Sequence, residues 1–136
     1  MIECLILGDS IAKGISDIRK ECVAYVKSGI NSYDYVNRHV LFTQGNTEAN
    51  TIIISLGSND LKNIDTFEEL DTLRQLVKAD RVYWILPNIK ETKRRAVWDV
   101  ANKYHDWVID ARGHDRSPDT VHPTYKGYKT IAKDIE

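Results

Sequence analysis

Five short apolar runs, rich in β-branched residues, punctuate the chain at 2–7, 22–27, 51–56, 82–86 and 107–109. Most are continuously apolar rather than alternating. An antiparallel strand with one wet face reads with a period of two. A continuous run fits a strand covered on both faces, the habit of parallel sheets. This pattern restricts the fold more than any other feature, because parallel neighbours need a crossover between them.

The segments between the runs supply candidate crossovers. Residues 33–39 form a short candidate helix. Residues 66–79 carry Phe67, Leu70, Leu73, Leu76 and Val77 at helical spacing, with Asp65 or Thr66 as cap and Glu68 and Glu69 in the first turn. Residues 92–104 align Ala96, Val97, Val100, Ala101 and Tyr104, and residues 124–135 align Tyr128, Ile131 and Ile135. Strands alternating with helices imply an α/β fold of three layers, α/β/α, around a five-stranded parallel sheet with right-handed crossovers.

The chain has 136 residues, enough for one domain with one sizeable core, and residues 1–136 are read as one domain. Its formal net charge of -1 gives no reason to expect a nucleic-acid partner. No run approaches the roughly 20 residues of a membrane span. The start, Met1-Ile2-Glu3-Cys4, lacks a basic region and runs straight into a candidate strand. The expectation is therefore no signal peptide, and a cytoplasmic protein or one otherwise not exported by the Sec route. Cys4 and Cys22 both fall in candidate strands and read as buried free thiols of a reducing compartment.

Chemistry-bearing residues gather in the turns after the runs. Gly8-Asp9-Ser10 follows the first, Gly29 the second, and Gly57-Ser58-Asn59-Asp60 the third. Asp119-Thr120-Val121-His122 lies in the segment after the fifth. In a parallel sheet all four positions fall at the carboxyl edge, where ligands bind. A hydroxyl, a carboxylate, an imidazole and an amide on one edge are the parts of serine-based acyl transfer.

Each motif alone has a plainer reading. Ser10 could N-cap a helix, Ser58-Asn59-Asp60 could form an Asx turn, and Asp119 could cap a turn beside a surface His122. The conjunction of three such turns after the right strands favours the catalytic reading.

On these residues the chain resembles the SGNH (GDSL-type) hydrolases over nearly its whole length. Gly8-Asp9-Ser10 is similar to the nucleophile block, Gly29 to the second-block glycine, Gly57-Ser58-Asn59-Asp60 to the G-x-N-D block, and Asp119-Thr120-Val121-His122-Pro123 to the D-x-x-H-P block. The resemblance implies a flavodoxin-like strand order of 2-1-3-4-5. It implies catalysis by Ser10, Asp119 and His122 through an acyl-serine, without metal or cofactor. It implies oxyanion donation by the Ser10 N–H, the Gly29 N–H and the Asn59 side chain. Ile11 stands where leucine is usual. The chain is also short for the family, which implies an open site and a small ester, such as an O-acetyl or short acyl group on a carbohydrate. A thioesterase or lysophospholipase-type esterase is the alternative enzyme. A catalytically silent carbohydrate-binding module is the alternative outside enzymes. A receiver or flavodoxin-like signalling domain lacks support, because Asp9 stands alone at the end of the first run where such a domain has an acidic cluster.

Other residues carry weaker signals. Asn88, Arg112 and Arg116 lie on the same edge as candidate substrate contacts. Lys90, Lys93, Arg94 and Arg95 read as a solvated face. Trp84, Trp98 and Trp107 read as core or half-core, with Trp98 the one off the main helical stripe.

Overall fold

A computed structural model describes residues 2–39, 47–88 and 90–135. Five strands, β1 (Ile2–Gly8), β2 (Val23–Val26), β3 (Glu48–Ser55), β4 (Lys78–Leu86) and β5 (Trp107–Asp110), form one parallel sheet in the order β2-β1-β3-β4-β5. The helices are α1 (Ser10–Ile18), α2 (Ser32–Asp34, continuing as a π-helical turn over Tyr35–His39), α3 (Thr66–Leu76), α4 (Glu91–Lys103) and α5 (Tyr125–Asp134). A short 3-10 turn, Ala111–Gly113, follows β5.

Continuous apolar strands bury both faces because successive side chains point to opposite sides. In β1, Leu5 and Leu7 join one core with Ile52, Ile54, Trp84, Leu70, Leu73, Val97 and Val100. Cys4 and Ile6 join the other, with Ile53, Ile85, Ile11, Ile15 and Ile131. Helices α3 and α4 thus cover one side, and α1 and α5 the other.

Helix α1 was not among the candidate crossovers. Asp9 caps it, accepting from the N–H groups of Ile11 at 3.0 Å and Ala12 at 3.4 Å. Ser10 is therefore the first helical residue, not the cap. Helix α3 ends at Leu76, and β4 already begins at Lys78. Phe67 and Leu76 of its apparent stripe are exposed, while Leu70 and Leu73 are buried. Trp84 is buried, Trp98 half-exposed, and Trp107 is 61% exposed, at variance with a core place for Trp107.

The cysteines depart from expectation too. Cys4 and Cys22 form a disulfide that ties β1 to the chain entering β2, so neither is a free thiol. Register explains the encounter: Leu5 pairs with Val23, which sets the residues before each side by side. No described helix is long and apolar enough to cross a membrane.

Candidate functional site

Strand β1 ends at Gly8, whose φ of +139° carries the chain into α1. A Cβ there would collide with the Ser55 carbonyl, which accepts the Asp9 N–H at 3.0 Å. The glycine lets β1 and β3 approach at the point where Ser10 emerges. Asp9 turns inward. It is fully buried, takes the Ser55 hydroxyl at 3.2 Å, and leaves Oδ2 without a partner. Burial raises its pKa to about 6, against the lowering effect of its hydrogen bonds.

Ser10 turns outward. Its Oγ lies 2.7 Å from His122 Nε2, and His122 Nδ1 lies 2.8 Å from Asp119 Oδ2. The three groups form one chain from hydroxyl through imidazole to carboxylate. His122 and Asp119 side chains are 40% and 52% exposed, so the edge is open to solvent.

The loop after β5 presents the imidazole. Asp119 Oδ1 accepts the N–H of Val121 and of His122, each at 2.9 Å, and the Ser117 hydroxyl at 2.7 Å. Together with the His122 ring, the largest contributor, these donors hold the Asp119 carboxyl well below the ordinary carboxylate range. Thr120 adopts φ +61°, a conformation β-branched residues avoid. The surrounding bonds fix it: Thr120 N–H to the Ser117 carbonyl, Ser117 N–H to the His122 carbonyl, and Thr124 N–H to the Asp115 carbonyl. Asp119 is thus both the turn cap and the hydrogen-bond partner of the His122 ring.

The second and third motifs meet each other at the end of β1. Lys27-Ser28-Gly29-Ile30 is a turn closed by the Ile30 N–H and the Lys27 carbonyl, with Gly29 at φ +80°, the position that needs glycine in a type II turn. That bond leaves the Gly29 N–H outside the turn. Lys27 N–H donates to the Gly8 carbonyl, which sets the turn against the end of β1. Asn59 Nδ2 donates to the Ile30 carbonyl at 3.0 Å. One amide hydrogen therefore docks Asn59 on the Gly29 turn, and a second remains on the same nitrogen. Buried Asp60 accepts the Ser32 N–H and the Thr66 hydroxyl, both at 2.7 Å, and so anchors the third motif to α2 and α3.

Two of the three candidate substrate contacts are engaged otherwise. Asn88 is buried and donates from Nδ2 to the Val121 carbonyl at 2.9 Å. Arg112 donates to the Asn88 carbonyl at 3.0 Å and pairs with Glu91. Asn88 is thereby committed to the loop, while the Arg112 side chain is tied at these two points and still 42% exposed. Arg116 is exposed, and its side chain has no hydrogen bond or ion pair among the described residues.

The basic cluster is not merely a solvated face. Lys90 donates to the carbonyls of Ser58 and Asp60, Lys93 to that of Ile64, and Arg94 to that of Pro87 and to both oxygens of Asp110. The Arg94 guanidinium holds the Asp110 carboxyl below its ordinary value. Only Arg95 matches the expectation, paired loosely with Asp99 on the surface. Lys90, at φ +60°, shows why a lysine can open a helix against the dipole: its ammonium satisfies the carbonyls of the Gly57–Asp60 turn.

No sequence-family model matches the chain, and no curated protein matches it. Solved structures do. A lipolytic protein of the G-D-S-L family from Veillonella parvula is 18% identical, with 98% of this chain and 95% of that one covered and a TM-score of 0.66. The esterase EstA of Pseudoalteromonas sp. is 14% identical, over 98% and 94%, with a TM-score of 0.68. The catalytic domain of a Streptococcus pneumoniae peptidoglycan O-acetyltransferase is 13% identical, over 96% and 88%, with a TM-score of 0.62. The five-stranded parallel sheet in the order 2-1-3-4-5, helices on both sides, is therefore the fold that this chain shares with G-D-S-L lipolytic proteins.

Proposed function

We propose that this chain is a serine ester hydrolase working through an acyl-serine intermediate. The observation that carries the reading is the unbroken Ser10–His122–Asp119 hydrogen-bond chain at the carboxyl edge of the sheet. His122 Nε2 takes the Ser10 proton as Oγ bonds to the ester carbonyl carbon. The tetrahedral oxyanion meets the Ser10 N–H, an unpaired donor of the first turn of α1, with the Gly29 N–H and the remaining Asn59 amide hydrogen. Collapse breaks the bond to the alkoxy oxygen, which leaves with the proton from His122. Water then enters, gives its proton to His122, and releases the acid and the free Ser10 hydroxyl.

The openness of the edge supports the substrate class. The exposed His122 and Asp119 suit an ester presented at a surface, such as an O-acetyl or short acyl group on a carbohydrate, with Arg116 available as a substrate contact. A structural relative that acts on peptidoglycan as an O-acetyltransferase adds support.

The test is covalent labelling by a serine-directed phosphonate together with hydrolysis of aryl acetate. Labelling at Ser10 and its loss, with turnover, in Ser10→Ala is the expected result. An unlabelled chain, or an active Ser10→Ala protein, would overturn the reading and leave a binding module on the same fold.

A further inference from the structure

The groove between α1 and α5 carries chemistry that the triad does not use. It has a volume of about 480 Å³ and is lined by Ile18, Arg19, Tyr125, Lys126, Lys129 and Lys133, with Thr130 and Ala132. Among the described residues no acidic one lines it. The chain as a whole is nearly neutral, so this concentration of cations is local. Lys126, Lys129 and Lys133 recur at helical spacing on α5, are exposed, and have no acidic partner among the described residues. The contrast with Lys90, Lys93 and Arg94 is direct, since those cations are spent on carbonyls and Asp110. Tyr125 is 71% exposed, and the Lys129 ammonium lies 5.5 Å from its ring centroid.

The α5 wall of the groove begins near the triad edge. Tyr125 is the first residue of α5, three positions after His122, and Ser10 is the first residue of α1. The two helices run in the same direction: the ring of Tyr128 packs on Gly14, while Arg19 donates to the carbonyls of Ala132 and Ile135. The α5 wall runs from Tyr125 to Lys133, roughly 12 Å at about 1.5 Å per residue, and α1 meets it at its C-terminal end through Ile18 and Arg19.

We infer that this groove binds an acidic glycan whose chain runs along α5 while its ester is presented to Ser10. The face of a sugar ring suits the exposed Tyr125, and carboxylates repeating along the chain suit the three lysines. A membrane surface fits less well, because among the lining residues Tyr125 is the one large apolar side chain that stands exposed. The inference rests on the proposed hydrolase reading only for the place of the ester.

The experiment is titration of the unmutated protein with polygalacturonate, which carries no ester and is not consumed. Neutral galactan, a single-stranded oligonucleotide and anionic phospholipid vesicles serve as comparators. Binding to polygalacturonate should weaken as salt rises. It should fall at least tenfold in K126Q/K129Q/K133Q and several-fold in Y125A, with aryl acetate turnover unchanged in both and folding verified by thermal melts. Absence of binding, undiminished binding by the triple variant, or equal or tighter binding to galactan, oligonucleotide or vesicles would overturn the inference. Failure of the unmutated protein to hydrolyse any ester, with glycan binding intact, would instead remove the hydrolase reading and leave the groove.

Discussion

Asn88 Nδ2 donates a 2.9 Å hydrogen bond to the carbonyl of Val121, the residue before His122. A buried side chain at the end of β4 thereby holds the loop that presents the imidazole. Arg112 holds the Asn88 carbonyl in turn, and Arg94 the carbonyl of Pro87. The position of His122 is thus set by packing at the ends of β4 and β5 as well as by its own turn.

Asn88→Ala should lower kcat by roughly 10- to 100-fold with little change in KM, since a misplacement of about 1 Å near the reacting groups can cost this much. Steady-state kinetics on aryl acetate check it. A change confined to KM would mean that Asn88 meets substrate instead of holding the loop.

Asn59→Ala removes both the proposed oxyanion donor and the bond to the Ile30 carbonyl. Loss of one such donor costs about 2.7–4 kcal/mol of transition-state stabilisation, or 10²–10³ in kcat. The expected kinetic signature is a fall in kcat with KM nearly constant. If kcat stays within threefold of the unmutated protein, Asn59 serves the Gly29 turn alone.

The central strands β1, β3 and β4 were readable because burial on both faces writes a continuous apolar run, while the edge strands β2 and β5 are only partly buried. The turns after the runs then pointed to the edge that carries Ser10, Gly29, Asn59, Asp119 and His122. Helix α1 escaped because Gly8-Asp9-Ser10 also reads as a turn, and because its buried stripe of Ile11, Ala12 and Ile15 is only three residues. The start of β4 escaped because Lys78, Asp80 and Arg81 project into solvent beyond the core. The roles of Asn88 and Lys90 depend on hydrogen bonds to backbone carbonyls far away in sequence, which carry no residue-type signature. The disulfide between Cys4 and Cys22 depends on strand register, which spacing alone does not specify.

Asp9 makes stability depend on pH. Its folded pKa, raised by burial from 3.8 to about 6, means that the folded state holds a proton the unfolded chain gives up. Its contribution is most favourable below about pH 4 and is lost as pH rises to about 6, an effect on the order of 3 kcal/mol at about 1.4 kcal/mol per tenfold. Asp9→Asn keeps an acceptor for the Ile11 and Ala12 N–H groups and cannot ionise. Urea unfolding at pH 4 and pH 8 should show the unmutated protein losing more stability than Asp9→Asn between the two. Parallel losses would place the Asp9 carboxyl at its ordinary value.

Asp119 separates two functions that share one carboxylate. Oδ1 caps the turn through the N–H groups of Val121 and His122, while Oδ2 receives His122 Nδ1–H. Asp119→Asn retains an oxygen for the turn but can offer its amide NH2 to Nδ1. The ring then carries its proton on Nε2, where it cannot accept the Ser10 proton. The expected result is a loss of about 10⁴ in kcat near neutral pH, the scale of a wrong tautomer in a triad. The thermal midpoint should change little, because the side chain is half-exposed and the cap survives. Phosphonate labelling of Ser10 should slow in step with turnover, since it draws on the same base. A variant with the full rate of the unmutated protein would reduce Asp119 to a turn residue, and His122 would then act without a carboxylate partner in this loop.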